Sequence, residues 1–233
     1  MRATRALAAS FLALACAFGA AASPARPLPA EERLTYARTR GGRRDEVRMR
    51  LSLEERGGAA RYLLVVESPD QEGSYELDPE TLLPLKSDVR TREEGITLRT
   101  VTTIEENRLR VGPDEILVSG MESMAQAFRA YPWEERRQAR LVFAGAPSRG
   151  GPFSFELSLA GTETVEAAGR RIECWKLQLG MGGLLGSLFG KSSFWYSKAY
   201  PHVLVKSESP AAGPSPATSM ILLSYSSSPA GGF

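Results

Sequence analysis

The sequence predicts a mainly β, antiparallel fold with a single helix, and three observations carry that prediction. First, runs rich in Val, Ile, Phe, Trp, Tyr and Thr recur along the chain between Gly and Pro clusters, the pattern of strands joined by turns. Second, Glu46 to Glu54 alternates without a break. Val47, Met49, Leu51 and Leu53 fall on one face and Arg48, Arg50 and Ser52 on the other. Period two over that length marks a half-buried strand. Third, only one segment, residues 119–131, carries helical periodicity.

Taken in order, Glu31 to Arg40 begins the sheet with Leu34 and Tyr36, and Gly41-Gly42 turns the chain into the alternating strand. Gly57-Gly58 turns it again into Arg61 to Glu67, which is apolar on both faces and so reads as a central or covered strand. Tyr75 to Leu77 runs into Asp78-Pro79-Glu80-Thr81, a turn with Pro at its second position. Leu82 to Arg92 and Ile96 to Ile104 continue the meander.

The helix is announced by Ser119-Gly120-Met121-Glu122, a capping box in which Ser119 accepts from a free amide and Glu122 reaches back. Met121, Met124, Ala125 and Phe128 then share one face. Core packing against a sheet explains this stripe better than a cofactor box does. Pro132 ends the helix and pushes Tyr131 out of helical geometry. Beyond it, Arg140 to Ala144 and Phe153 to Leu159 read as strands. Four further runs follow between Gly161 and Tyr225, and residues 227–233 read as a tail of small residues.

Within that last region Gly161-Thr162-Glu163-Thr164-Val165, Gly169 and Cys174-Trp175-Lys176-Leu177 form one set of motifs. Phe194-Trp195-Tyr196-Ser197-Lys198 and Pro201-His202-Val203-Leu204-Val205-Lys206 form another. Together they resemble a secreted bacterial family known only as domain of unknown function 3108. That family is itself similar in fold to the half-barrel lipoprotein carriers of the periplasm. The resemblance covers mainly the C-terminal half, through strand and turn chemistry. It implies a curved antiparallel half-barrel with one helix on its concave face, and an acyl chain, lipid or lipidated partner as ligand. It supplies no catalytic residue.

Compartment and charge follow from the N-terminus. Arg2 and Arg5 precede a charge-free, Ala-rich stretch from Ala6 to Ala25, which reads as a secretory signal peptide over residues 1–22. Cleavage falls after Ala22, with Ala25 the next candidate. Residues 23–30 read as a Pro/Ala linker and 31–226 as one domain, and about 210 residues suffice for a well-buried core. The triplet Ala13-Leu14-Ala15 before Cys16 lacks the lipobox pattern, so lipid anchoring there is not expected. The sequence has 29 basic and 27 acidic residues, and losing Arg2 and Arg5 with the leader leaves 27 of each. A neutral domain argues against a nucleic-acid partner.

The chemistry-bearing residues are few. Cys174, the one cysteine left after export, sits in a strand beside Trp175 and reads as a buried, inert thiol. His202 is the only histidine, and no motif places a nucleophile and an acid beside it. One His and one Cys make no tetrahedral metal set, so neither metal nor cofactor is expected. Arg38, Arg40, Arg43, Arg44, Arg48 and Arg50 read either as a reader of anionic headgroups or as the solvated face of a hairpin, and the alternation favours the second.

Gly180 to Gly190 is charge-free, with Leu184, Leu185, Leu188 and Phe189 among glycines. A buried turn and an apolar flap both fit it. The leading reading is a non-enzymatic envelope protein that binds an apolar ligand through these four residues with Met121, Met124 and Phe128, with peripheral membrane contact. The alternative is an interaction module with a filled core. The sequence leaves the oligomeric state open.

Overall fold

The structure, a computed structural model, describes residues 28–93, 95–104, 112–118, 121–143, 155–182, 190–211 and 215–228, the side chains of 93, 121 and 122 excepted. The leader with Cys16, residue 119 of the capping box, and Leu184, Leu185, Leu188 and Phe189 lie outside the described residues.

Among the described residues thirteen strands form one open sheet around one helix. The first six are β1 (Glu31–Arg40), β2 (Arg43–Arg56), β3 (Ala59–Ser68), β4 (Gln71–Leu77), β5 (Pro84–Glu93) and β6 (Ile96–Thr103). Then come β7 (Glu115–Val118), the helix α1 (Met121–Ala130), β8 (Gln138–Phe143) and β9 (Phe155–Ala167). The last four are β10 (Arg170–Met181), β11 (Ser192–Ser197), β12 (Leu204–Ser209) and β13 (Thr218–Ser228). The order across the sheet is β6-β5-β4-β3-β2-β1-β13-β12-β11-β10-β9-β8-β7.

Two tight turns set the register of the first hairpins. Gly41 and Gly42 have φ of 55° and 83°, and Gly57 and Gly58 have 60° and 78°. Two successive positive φ values match the right-handed twist of the flanking strands, and glycine adopts them without a steric penalty. The alternation predicted for β2 holds, with Val47, Met49 and Leu51 buried and Arg48 and Arg50 exposed.

Three features depart from the sequence reading. The strand β7 was not foreseen, and it pairs parallel to β8, the one parallel ladder described. A parallel pair needs a crossover, and α1 is that crossover. The chain also runs through Gly161 as one strand, with Ala160 an extra residue opposite the Lys176–Leu177 step, where two separate runs were expected. Finally, β13 pairs through Ser228 with Glu31, taking in the first two residues of the expected tail.

Chain reach forces the sheet to curl. Flat, its twelve inter-strand gaps would set β6 and β7 about 58 Å apart at about 4.8 Å each. Yet Thr103 ends β6 and Glu115 begins β7, and twelve extended residues span at most about 43 Å. The two edges are therefore drawn toward each other, and both halves of the concave face turn onto a single hydrophobic core.

Candidate functional site

The helix α1 occupies the concave face, and its surroundings decide what that face can do. Every residue from Ser123 to Arg129 is buried, so the polar side of the helix is enclosed as well as the apolar stripe. Met124 and Phe128 are 2% and 0% exposed. Phe128 meets Phe194 edge-on at 5.6 Å and Tyr196 at 6.3 Å. Tyr196 Oη donates to the Ala125 carbonyl at 3.0 Å, and Trp133 Nε1 to the Phe128 carbonyl at 2.8 Å. The second of these satisfies one of the carbonyls that a helix C-terminus leaves open. Met124 and Phe128 are thus brought together in the core, and Met121 begins the helix.

On the polar side lies a group that sequence reasoning did not single out. Arg129 donates from Nη1 and Nη2 to the two Glu32 carboxylate oxygens at 2.8 and 2.9 Å. It also donates to Gln126 Oε1 at 2.7 Å and from Nε to the Pro201 carbonyl at 3.0 Å. Tyr225 Oη donates to Glu32 at 2.8 Å. Both charged side chains are almost fully enclosed. Burial alone would lower the arginine pKa, but the Glu32 carboxylate beside it more than offsets this and holds it above its ordinary value. With Nε and both Nη atoms engaged, the pair ties α1 to β1, and through Tyr225 to β13. Tyr36, whose hydroxyl donates to the Leu204 carbonyl at 2.9 Å, is held well above its normal pKa by its burial.

His202 stands in a turn just before β12, with φ of 58°. Its Nδ1 lies 3.1 Å from the Ser197 carbonyl, so that nitrogen carries the proton. The ring packs on Trp175 at 4.8 Å. Burial pushes its pKa down, and the bond to Ser197 only partly opposes this. Cys174 is fully buried, and burial raises its thiol to about 12, as expected of an inert thiol. Among the described residues no group of three or more His, Cys, Asp or Glu could hold a metal ion.

Three arginines of the cluster are ion-paired, Arg48 on the outer face and Arg38 at the end of the face that carries Tyr36 and Val47. Arg38 binds Asp45 through two bonds of 2.8 Å and Asp70 at 2.5 Å, Arg40 reaches Asp70 at 3.1 Å, and Arg48 reaches Glu46 at 2.7 Å. Hydrogen bonding to Asp45 leads the effects that raise the Arg38 pKa. A cavity of about 750 Å³ opens elsewhere on the outside, lined by Arg136, Arg137, Arg140, Glu156, Gln178 and Lys191 among others. Arg140 is paired with Glu115, and Arg136 with Asp114 at 3.4 Å. Its lining is mostly polar, and it touches neither Met124 nor Phe128.

No family model matches the chain, and no curated protein matches it. The resemblance carried by residues 161–206 therefore rests on those motifs. Among solved structures the chain is similar to the hypothetical lipoprotein YmcC from Escherichia coli. The identity is 13% over 85% of this chain and 88% of that one, with a TM-score of 0.31. It is also similar to a putative exported protein with a YmcC-like fold from Bacteroides fragilis, at 14% identity, 86% and 97% coverage and a TM-score of 0.36. A third, a DUF1329 family protein from Desulfovibrio piger, shares 12% identity over 85% and 86% of the two chains, with a TM-score of 0.27. The architecture described above rests on the chain's own strand pairing. No helix among the described residues is long and apolar enough to cross a membrane.

Proposed function

We propose that this chain is a non-catalytic binding module of the cell envelope, with a core filled by α1 and its contacts made on the outside. The observation that carries this reading is the enclosure of α1 from Ser123 to Arg129, apolar stripe and polar side alike, with the Glu32–Arg129 pair holding it in place. A ligand seated in the concave face would have to displace the helix. That would expose Phe128 and Met124 and separate two buried charges, and breaking such a pair costs about 3–5 kcal/mol. The envelope location is supported by Arg2, Arg5 and the charge-free run to Ala25, with export by a signal peptide over residues 1–22.

A second reading keeps an acyl chain, a lipid or a lipidated partner as ligand, with peripheral contact at a membrane surface. What favours it is the charge-free stretch with Leu184, Leu185, Leu188 and Phe189, four side chains each worth about 1.5–3 kcal/mol when buried. On that reading these residues bind the ligand together with Met121, Met124 and Phe128. Native mass spectrometry of gently purified protein separates the two. A clean apo mass, under conditions that keep lipid on a known carrier, is the expected result. Co-purified lipid would overturn the filled-core reading in favour of the second.

A further inference from the structure

The two edges of the sheet are treated very differently. β7 is four residues long, buries Ile116, Leu117 and Val118, and is tied to α1. β6 is eight residues long, and among the described residues it carries the three most exposed large hydrophobics, Ile96, Leu98 and Val101, at 62%, 58% and 53%. Natural sheets protect a free edge with Pro, Lys, a bulge or a very short strand. β6 has none of these: it pairs with β5 in unbroken register, and its one charge, Arg99, is already bound to Asp88 at 2.8 and 2.5 Å.

The backbone direction of that edge can be deduced. Ile104 N donates to the Leu85 carbonyl, which fixes the even-numbered residues of β6 as those bonded to β5. The N–H and C=O groups of Thr97, Arg99, Val101 and Thr103 therefore point away from β5, to the side where no strand pairs among the described residues. Faces follow from the same register. Ile96 and Leu98 lie on the concave side, opposite Glu93 and Thr91. The convex side carries Arg99 directly opposite Arg90, with Lys86 and Arg92 nearby on β5. Against these four cations stand Asp88 and Glu72, the partners of Arg99 and Arg92, and Glu76, which lies opposite Lys86 and is paired with Arg56.

We propose that β6 is a strand-addition site that accepts an extended segment of another protein, alternating apolar residues on the concave side with acidic residues on the convex side. Main-chain bonds to the four outward residues supply the pairing, and the alternate side chains supply the selectivity. Charge decides against a second copy as the occupant, because a two-fold β6–β6 ladder would set the Arg90–Arg99 rows of both copies side by side.

This rests on reading the chain as an interaction module, and the test keeps the two apart. The full exported chain is titrated with eight-residue peptides of alternating Val and Glu, alternating Val and Lys, and the same Val and Glu in blocks. Alternating Val-Glu is expected to bind, at least tenfold more tightly than the other two. Val101→Pro removes one outward N–H without touching a bond to β5, a position where a strand tolerates proline, and should weaken that binding at least tenfold. Arg90→Glu, an exposed change that leaves the backbone edge intact, should weaken it several-fold and reduce the preference over Val-Lys.

Equal binding of the acidic and basic peptides, or unchanged affinity in both variants, would overturn the proposal. So would sedimentation showing a dimer that Val101→Pro makes monomeric, since a second copy would then hold the edge. Lipid in the native mass spectrum would overturn the filled-core reading without altering the peptide result.

Discussion

β2 and β6 both place apolar residues at alternate positions on the concave side, Val47, Met49 and Leu51 in one and Ile96 and Leu98 in the other, yet their fates diverge; the third apolar residue of β6, Val101, lies on the convex side with Arg99. Val47, Met49 and Leu51 of β2 are between 0% and 5% exposed, whereas Ile96 and Leu98 of β6 are 62% and 58% exposed. Over the two positions Ile96 and Leu98 the period is the same as in β2, and it breaks only at Val101. The difference lies in what stands opposite. The middle of the sheet has α1 and the returning strands to close on, and the β6 edge has neither among the described residues. Alternation specifies which face a side chain takes, but covering that face is a property of the topology.

The largest expected effect comes from the lock on the covered side. Arg129→Met leaves the Glu32 carboxylate buried without its partner and should cost about 3–5 kcal/mol in urea denaturation. Replacing both members, Glu32→Leu with Arg129→Met, should restore much of that loss, because paired burial contributes little net stability. A single variant as stable as the parent would mean that α1 is held by its apolar contacts alone.

Next comes the core itself. Leu64 is fully buried on β3, and Leu64→Ala should cost about 2–5 kcal/mol, read in the same experiment. Smaller is the pH response of His202. Its folded pKa lies below the unfolded 6.5, so the unfolded state takes up the proton first. The stability tied to the neutral ring is fully present above pH 6.5 and is lost as pH falls from there through the folded pKa. His202→Asn, which tolerates the positive φ, should flatten the fall in melting temperature between pH 7.5 and pH 5.5. An unchanged slope would mean the ring is not held neutral by the fold.

Two effects should be near zero. Leu98→Ala on the open edge should change stability by no more than about 0.5 kcal/mol, as for surface substitutions generally. A loss approaching that of Leu64→Ala would show that the edge is covered. Cys174 should resist a thiol reagent until denaturant is added.

How much of this could be read from the chain depends on how local each signal was. The first hairpins were legible because Gly41-Gly42 and Gly57-Gly58 fix both turn and register within two residues. The helix was legible because Met124 and Phe128 obey its period, and Pro132 ends it. β7 was not, since four residues carry no measurable period and its partner β8 lies beyond the helix. Gly161 reads as punctuation, yet the backbone passes through it as a bulge. Ser227 and Ser228 look like a tail because strand pairing there depends on the backbone of Glu31 and Glu32 and not on side-chain type. The Glu32–Arg129 pair joins residues 97 apart, and no local pattern announces it.

Native-state hydrogen exchange, resolved residue by residue, tests the contrast between sealed centre and open edge most directly. The account predicts strong protection of Ala125 to Arg129 in α1 and of Leu98, Thr100 and Thr102, whose amides bond to β5. It predicts rapid exchange at Thr97, Arg99, Val101 and Thr103, so that protection alternates along a single strand. Uniform protection along β6, or amides of α1 that exchange as fast as the outward ones of β6, would contradict it.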